Sequence, residues 1–572
     1  MSIIIKLLLL FLFFTTSLLS QSLGEDYILE WKNFHPSKAL KSGMHNAVFH
    51  YEDFSNEKII TWLKFNEQIL EKLKGEKPNI DHIDGRLLRV QAQSEVDKWK
   101  TLAEQTTSLR LYSRYISNAI TPILNMEYLL PYEKSELICH RITAIEKLVS
   151  AARTNLKSVP QDDFEKGIAD LSNTLEYLQK DLKMELQTNG ISIRCPDFDT
   201  IVSQAILAIE SLESFAKMTI QKNVIPSASV LGRPEYDRRL KLYTDSDLTS
   251  TKLGEIALAE IKTVKDLMAA VSKQYVTEIF PDKNLPKKDL EIIEMALADM
   301  EKDTPINGED YLEFWQQLSK DAIKFIEEKD IATLPKNNTL RIQTAPESAG
   351  AAARIGWVAS APPFDSNPLT ILNLPSIPYT LPKQEKIDFW ASFNKPFNRM
   401  IVIHELFPGH YMQLKISRET PHPIRLLFPY GIYIEGWATF TEKVLLDAGW
   451  QKGNYLTLLA HLRKRLENAN RSYTSVQVHC NGWNKEEVMK FSTETSLLAP
   501  QFAKSLWGRI ENSPMQLTSY FLGGAQFTQL LQTEKERLGN AFDLKSFMDT
   551  ILKAGAIPIE EFYTIFKQTN PN

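Results

Sequence analysis

Cysteine is scarce: Cys139, Cys195 and Cys480 are the only three in 572 residues. Three thiols so widely spaced permit at most one intramolecular disulfide, leave at least one thiol over and form no metal-binding cluster. Stability must therefore come from a buried core. Neither sign of charge dominates, with 66 basic against 71 acidic residues and a formal net charge of −5. That removes the electrostatic footprint of a nucleic-acid binder, and no nucleic-acid partner is expected. Glycine and proline are sparse as well, 22 and 28 residues. Together with long Leu/Lys/Glu-rich stretches this speaks against many short strands and for a mainly α fold. At 43% hydrophobic and 24% charged residues, wholesale disorder is excluded.

The amino terminus is the exception to an otherwise even texture. Lys6, the apolar run Leu7 to Phe14, then Thr15, Thr16 and Ser17 and a final Leu18-Leu19-Ser20 read as a secretory signal peptide over residues 1–20. The alternative is a retained anchor, since Ile3 to Leu19 is nearly long enough to span a bilayer. No cysteine lies in this leader, so a lipoprotein anchor has nothing to attach to. The expectation is an exported protein, periplasmic or secreted, with no stable membrane span once the leader is removed.

From residue 25 to 330 amphipathic helical patterns follow one another, among them Lys134–Ser158, Asp162–Leu186, Thr200–Gln221 and Ser250–Thr277. This half reads as a helical scaffold subdomain. Between Thr339 and Ser376 the period changes: Leu340–Thr344 alternates, Arg354–Val358 does so weakly and Leu369–Leu374 is a short apolar run, so a small sheet is expected at 339–376. Helical periodicity returns from Asp388. Residues 331–572 read as a catalytic helical subdomain, because five of the ten histidines fall between His404 and His479.

The informative string is His404-Glu405-Leu406-Phe407-Pro408-Gly409-His410. Two imidazoles with a carboxylate beside the first suit a zinc hydrolase, in which neutral nitrogens hold the ion and the carboxylate takes a proton from the attacking water. Ligands four apart share a helix face, whereas six residues turn the second ring roughly 240° away on a regular helix. Pro408 and Gly409 predict a bulge or break that re-aims His410. A third ligand is needed, and Glu435 in Tyr433-Ile434-Glu435-Gly436-Trp437-Ala438 supplies it: after an apolar run, a buried carboxylate is costly unless it meets a cation. Glu442, seven residues on, shares that face across small residues that would let it approach a metal. It is read as the acceptor for a ligating histidine's other N–H, or else as a surface carboxylate paired with Lys443. His422, between two prolines, reads as a loop residue, and His461, in His461-Leu462-Arg463-Lys464-Arg465, as part of a solvated helix face.

These residues resemble a bacterial family known as domain of unknown function 885, whose members are predicted zinc peptidases, and more distantly the helical peptidases of the thimet oligopeptidase and angiotensin-converting enzyme type. The resemblance is carried by the His404–His410 string, the block Glu435-Gly436-Trp437-Ala438 ending at Glu442, and the pattern Pro514-x-Gln516-x-x-Ser519-Tyr520-x-x-Gly523 followed by Ala541–Phe547. It implies a large helical body split by a substrate channel, with one Zn²⁺ on the floor and the small sheet at the rim. It also implies donors to a developing oxyanion at Tyr520 and His479. Arg471 is a candidate to hold a substrate carboxylate, which favours carboxypeptidase-like trimming, or else it forms a surface salt bridge. The long-known oligopeptidases carry their ligands four apart, a departure that separates this chain from them. The function expected is peptide hydrolysis. A zinc-dependent hydrolase of another amide or ester and an inactive helical binding protein remain open alternatives.

Overall fold

The computed structural model describes residues 22–44, 50–75, 79–126, 129–227, 230–281, 285–305, 308–337, 339–346, 349–350, 352–365, 368–377 and 380–569. The leader, residues 1–20, lies outside them. No helix among the described residues is long and apolar enough to cross a membrane. The protein is mainly α with one small sheet.

Contacts divide the chain into two compact units, residues 1–227 and 228–572. Among its described residues the first has helices and no strand. Its long helices Pro131–Asn155, Gln161–Glu176 and Phe198–Met218 follow the predicted periodicity within a few residues. The pattern expected to run on to Leu186 does so through a π turn at Tyr177–Asp181 and a short helix, Leu182–Thr188. The first described helix, Leu23–Phe34, opens on a reciprocal capping box in which Ser22 and Glu25 bond each other's backbone N–H. A single disulfide joins Cys139 to Cys195, and Cys480 is the free thiol.

In the second unit only the elements that shape the site are labelled. They are α1 (Arg233–Thr244), α2 (Ser250–Ile279), β1 (Leu340–Thr344), β2 (Trp357–Ala359), β3 (Thr370–Leu374), α3 (Lys395–Glu405), α4 (His410–Ser417), α5 (Gly431–Asp447), α6 (Tyr455–Asn481), α7 (Pro500–Asn512) and α8 (Gln516–Leu538). The change of sequence texture near residue 330 is not where the contacts divide. Helix α2 lies along α6, so residues 228–330 share a core with the later helices.

The sheet order is β1-β3-β2, with β1 parallel and β2 antiparallel to β3. Strand β2 starts three residues later than the weak alternation suggests, because Ala352–Arg354 form a 3₁₀ turn. Helix α5 packs along α8, and α6 runs through the middle as a buried helix that nonetheless carries His461, Lys464, Glu467, Asn468 and Arg471. So many buried polar side chains on one helix call for mutual pairing.

Candidate metal centre

Helix α3 starts at an Asn394 cap that accepts the Phe397 N–H and ends at Glu405, where Leu406 leaves helical geometry (φ −115°, ψ −80°). Four residues later α4 begins at His410. The break between them is the one expected of Pro408-Gly409, and the Phe407–Pro408 peptide is cis. Glycine is required in it: a β-carbon at Gly409 would lie 1.8 Å from the His404 carbonyl oxygen. The turn is held from α5, whose Trp437 Nε1 donates to the Pro408 carbonyl at 2.9 Å. As a result the His404 and His410 rings stand perpendicular with centroids 4.9 Å apart.

Glu435 reaches them from α5. Its carboxylate oxygen Oε2 is 3.3 Å from His410 Nε2 and 3.8 Å from His404 Nε2. Ligands held about 2.0–2.2 Å from a tetrahedral zinc stand about 3.3–3.6 Å from one another; the His410–Glu435 pair matches that spacing, and all three atoms lie within 4.8 Å of one another, close enough to converge on one ion. Glu435 Oε2 is also a buried oxygen with no hydrogen-bond partner. The tautomer of His404 is set from behind, where its Nδ1 lies 2.8 Å from Glu442 Oε1 and its N–H must point at that carboxylate. Nε2 then turns a lone pair towards Glu435. Lone pairs of two imidazoles and a carboxylate gathered in this way need a shared cation or proton. Burial works against charge on Glu435, but His410, then His404 and Tyr520, outweigh it and hold the carboxyl down at about 2. Burial likewise opposes a charged His410, yet the adjacent Glu435 pushes its pKa up.

Glu442 is not a surface residue. It is fully buried, and its second oxygen accepts from His461 Nδ1 at 2.9 Å. Burial raises its pKa less than His404 and His461 lower it, leaving about 2. His461, read from its charged neighbours as part of a solvated face, is buried and completes a His404–Glu442–His461 chain. The small residues between Glu435 and Glu442 do not approach the metal position as expected. They let α5 and α8 touch: a β-carbon at Gly436 would lie 2.4 Å from Gly523 Cα. That crossing sets Gln516 and Tyr520, two turns and one turn before Gly523 on α8, beside Glu435. Gln516 Nε2 donates to Glu435 Oε1 at 3.1 Å, a contact sequence reasoning missed although Gln516, Tyr520 and Gly523 share a helix face.

His404, Glu405, His410, Glu435, Arg471 and Tyr520 all line one cavity of about 530 Å³, bordered on the other side by β2 and β3. Tyr520 Oη accepts from Gln516 Nε2 and Arg509 Nη2, both at 3.2 Å, which leaves its own proton for a further acceptor at the cavity. Burial, reinforced by Glu435, pushes its pKa up to about 12, keeping the phenol a donor. Arg471 is no surface salt bridge: it is buried, bound by Glu467 and Asn468, and its guanidinium lies over the Tyr520 ring at 4.7 Å. His479 does not join the site. It is buried away from the cavity, with Nε2 on the Ile510 carbonyl at 3.0 Å and Nδ1 accepting from the Leu231 N–H at 3.4 Å, so both nitrogens are spent on backbone. His422 caps the short helix Pro423–Leu427 from a loop position.

A model of the family described as "Bacterial protein of unknown function (DUF885)" matches residues 36–562, far beyond the stretch from Arg399 onward that carries the motifs. No curated protein matches the sequence. Among solved structures, a candidate lipoprotein of unknown function from Shewanella oneidensis superposes with a TM-score of 0.77 at 20% identity, over 95% of this chain and 98% of that one. A candidate lipoprotein from Colwellia psychrerythraea gives 0.68 at 17% identity, over 93% and 95%. At such identities the likeness is one of fold.

Proposed function

We propose that this chain, which belongs to the DUF885 family of bacterial proteins, is an exported zinc-dependent peptidase. The carrying observation is the convergence of His404 Nε2, His410 Nε2 and the unpartnered Glu435 Oε2 at one wall of a cavity, with Glu442 behind His404. Those three residues would hold one Zn²⁺, which supplies a Lewis acid for the substrate carbonyl and lowers the pKa of a water. Glu405, next to the ligand His404 and lining the same cavity, takes the proton of the attacking water and passes it to the leaving amine. Tyr520 turns its O–H to the oxygen on which negative charge develops. Glu442 keeps the His404 ring in the tautomer that leaves Nε2 free.

A peptide is favoured over a small ester because edge strand β2 borders the cavity, where its unpaired backbone groups can hold an extended chain. Export is supported by the signal-like residues 1–20 and by fold neighbours described as candidate lipoproteins.

The test is Glu405→Gln, assayed by metal analysis and by mass spectrometry of peptide digests. Zinc is expected to remain stoichiometric while hydrolysis falls by orders of magnitude. Wild-type cleavage by the variant would remove Glu405 from its role, and a purified protein that takes up no zinc on reconstitution would end the reading altogether.

A further inference from the structure

The cavity wall carries more positive charge than the metal centre needs. Arg354, Lys464, Arg471 and Arg509 line it against two carboxylates, Glu405 and Glu435, which already have roles as base and ligand. Lys464 and Arg471 share a single counter-charge: Glu467 receives Lys464 Nζ at 3.3 Å and Arg471 Nη2. Arg509 differs from both. Its Nη2 meets neutral oxygens, Gln516 Oε1 at 3.1 Å and Tyr520 Oη at 3.2 Å; among the described residues no carboxylate hydrogen-bonds it, and Glu467, already bonded to Lys464 and Arg471, acts on it only through space. A guanidinium is always charged and its fork matches a carboxylate, so one hydrogen-bonded only to uncharged acceptors at a cavity wall is set up for an anion.

Arg509 also stands within a bounded distance of Glu435. Gln516 bridges the two, accepting from Arg509 and donating to Glu435 Oε1 at 3.1 Å. The path is two hydrogen bonds and one amide group, no more than about 9 Å. An extended residue covers ~3.4 Å, so a carboxylate seated on Arg509 belongs one or two residues from the bond that is cut.

We propose that Arg509 seats the terminal carboxylate of a peptide one or two residues beyond the scissile bond, so that the protein trims peptides from the carboxy end. This rests on the peptidase reading and narrows its substrate class. It replaces Arg471, whose guanidinium is already occupied by Glu467 and Asn468, as the specificity residue.

The experiment is calorimetric binding to the zinc-loaded Glu405→Gln protein. The probes are N-acetyl tetra-alanine as free acid, the same peptide as carboxamide, and a carboxamide with aspartate in last place. The free acid is expected to bind at least about tenfold tighter than either amide. Arg509→Gln brings the acid down to the level of the amide with zinc content unchanged, and Arg509→Lys recovers part of the difference. Equal affinities for acid and amide, or a preference that survives Arg509→Gln, overturn the proposal. An aspartyl amide binding as tightly as the free acid also overturns it, because the recognised carboxylate is then a side chain. The two readings fail separately. Wild-type protein that cuts amidated peptides as fast as free acids keeps the peptidase and loses the carboxylate seat. Acid preference through Arg509 in a protein that cuts no peptide does the reverse.

Discussion

Each unit of the molecule buries an imidazole against a glutamate, and the two pairs look alike until their second neighbours are compared. In the first unit His35 Nε2 lies 3.0 Å from Glu95. Glu95 also receives Trp62 Nε1 at 2.8 Å, Trp99 Nε1 at 2.9 Å and Gln91 Nε2 at 3.1 Å, inside a shell of aromatic rings. Four N–H groups satisfy that carboxylate within the core. In the second unit Glu442 is equally buried and satisfied, but the histidine it orients presents its far nitrogen to another carboxylate, Glu435, at a cavity wall. A buried imidazole–carboxylate pair is thus not in itself a sign of chemistry. The sign is a second acceptor facing the same ring with no proton to share.

The contrast can be broken most sharply at the acceptors themselves. Glu435→Ala is expected to abolish stoichiometric zinc binding and peptide hydrolysis, read by metal analysis after dialysis, whereas Glu95→Ala leaves zinc content unchanged. Zinc retained without Glu435 would erase the distinction. Glu95→Ala is instead expected to lower folding stability by about 3–5 kcal/mol, since it strips a buried histidine and two indoles of their acceptor. Chemical denaturation followed by tryptophan fluorescence measures this, and a midpoint within error of wild type would contradict it.

Glu442→Gln sharpens the comparison from the other side. It keeps an acceptor but removes the charge behind His404, and a drop of about 10–100-fold in zinc affinity is expected from competition with a chelator. An unchanged affinity would make Glu442 as purely structural as Glu95.

The smallest effect is a pH dependence in the first unit. Burial, only partly opposed by Glu95, lowers the His35 pKa to about 4. The folded value is below the unfolded one of about 6.5, so the contribution is complete above that pH and is lost as the pH falls through 4. The Glu95 carboxyl is lowered as well: burial opposes its charge, but His35 and the other donors prevail, so its contribution fades in the same direction at still lower pH. The denaturation midpoint is therefore expected to decline from pH 6.5 to 4, and His35→Gln to flatten that slope. A midpoint that rises on acidification would reverse the assignment.

Helices were legible because their apolar spacing and caps are local, as at Asn394 before α3. The broken His404–His410 segment was legible for the same reason: Pro408 and Gly409 state where a helix must stop. His461 and Arg471 were misread in the same way. His461 sits among basic residues that resemble a solvated face, and Arg471 was open to a surface salt bridge, yet α6 is central, and Glu442 and Glu467 supply their buried partners. His479 was misplaced because a histidine close to a motif says nothing of which backbone it will bond, and here Ile510 and Leu231 take both nitrogens.

Sequence alone determined the break that re-aims His410 and the side chains that flank it, His404 and Glu405, since these follow from residue chemistry and spacing along one short segment. The tertiary structure alone decided that Gly436 meets Gly523, and so that Gln516, Tyr520 and Arg509 stand beside Glu435. The reason is physical: how closely two helices approach depends on the side chains missing from both faces at the crossing, and those faces are more than eighty residues apart in the chain.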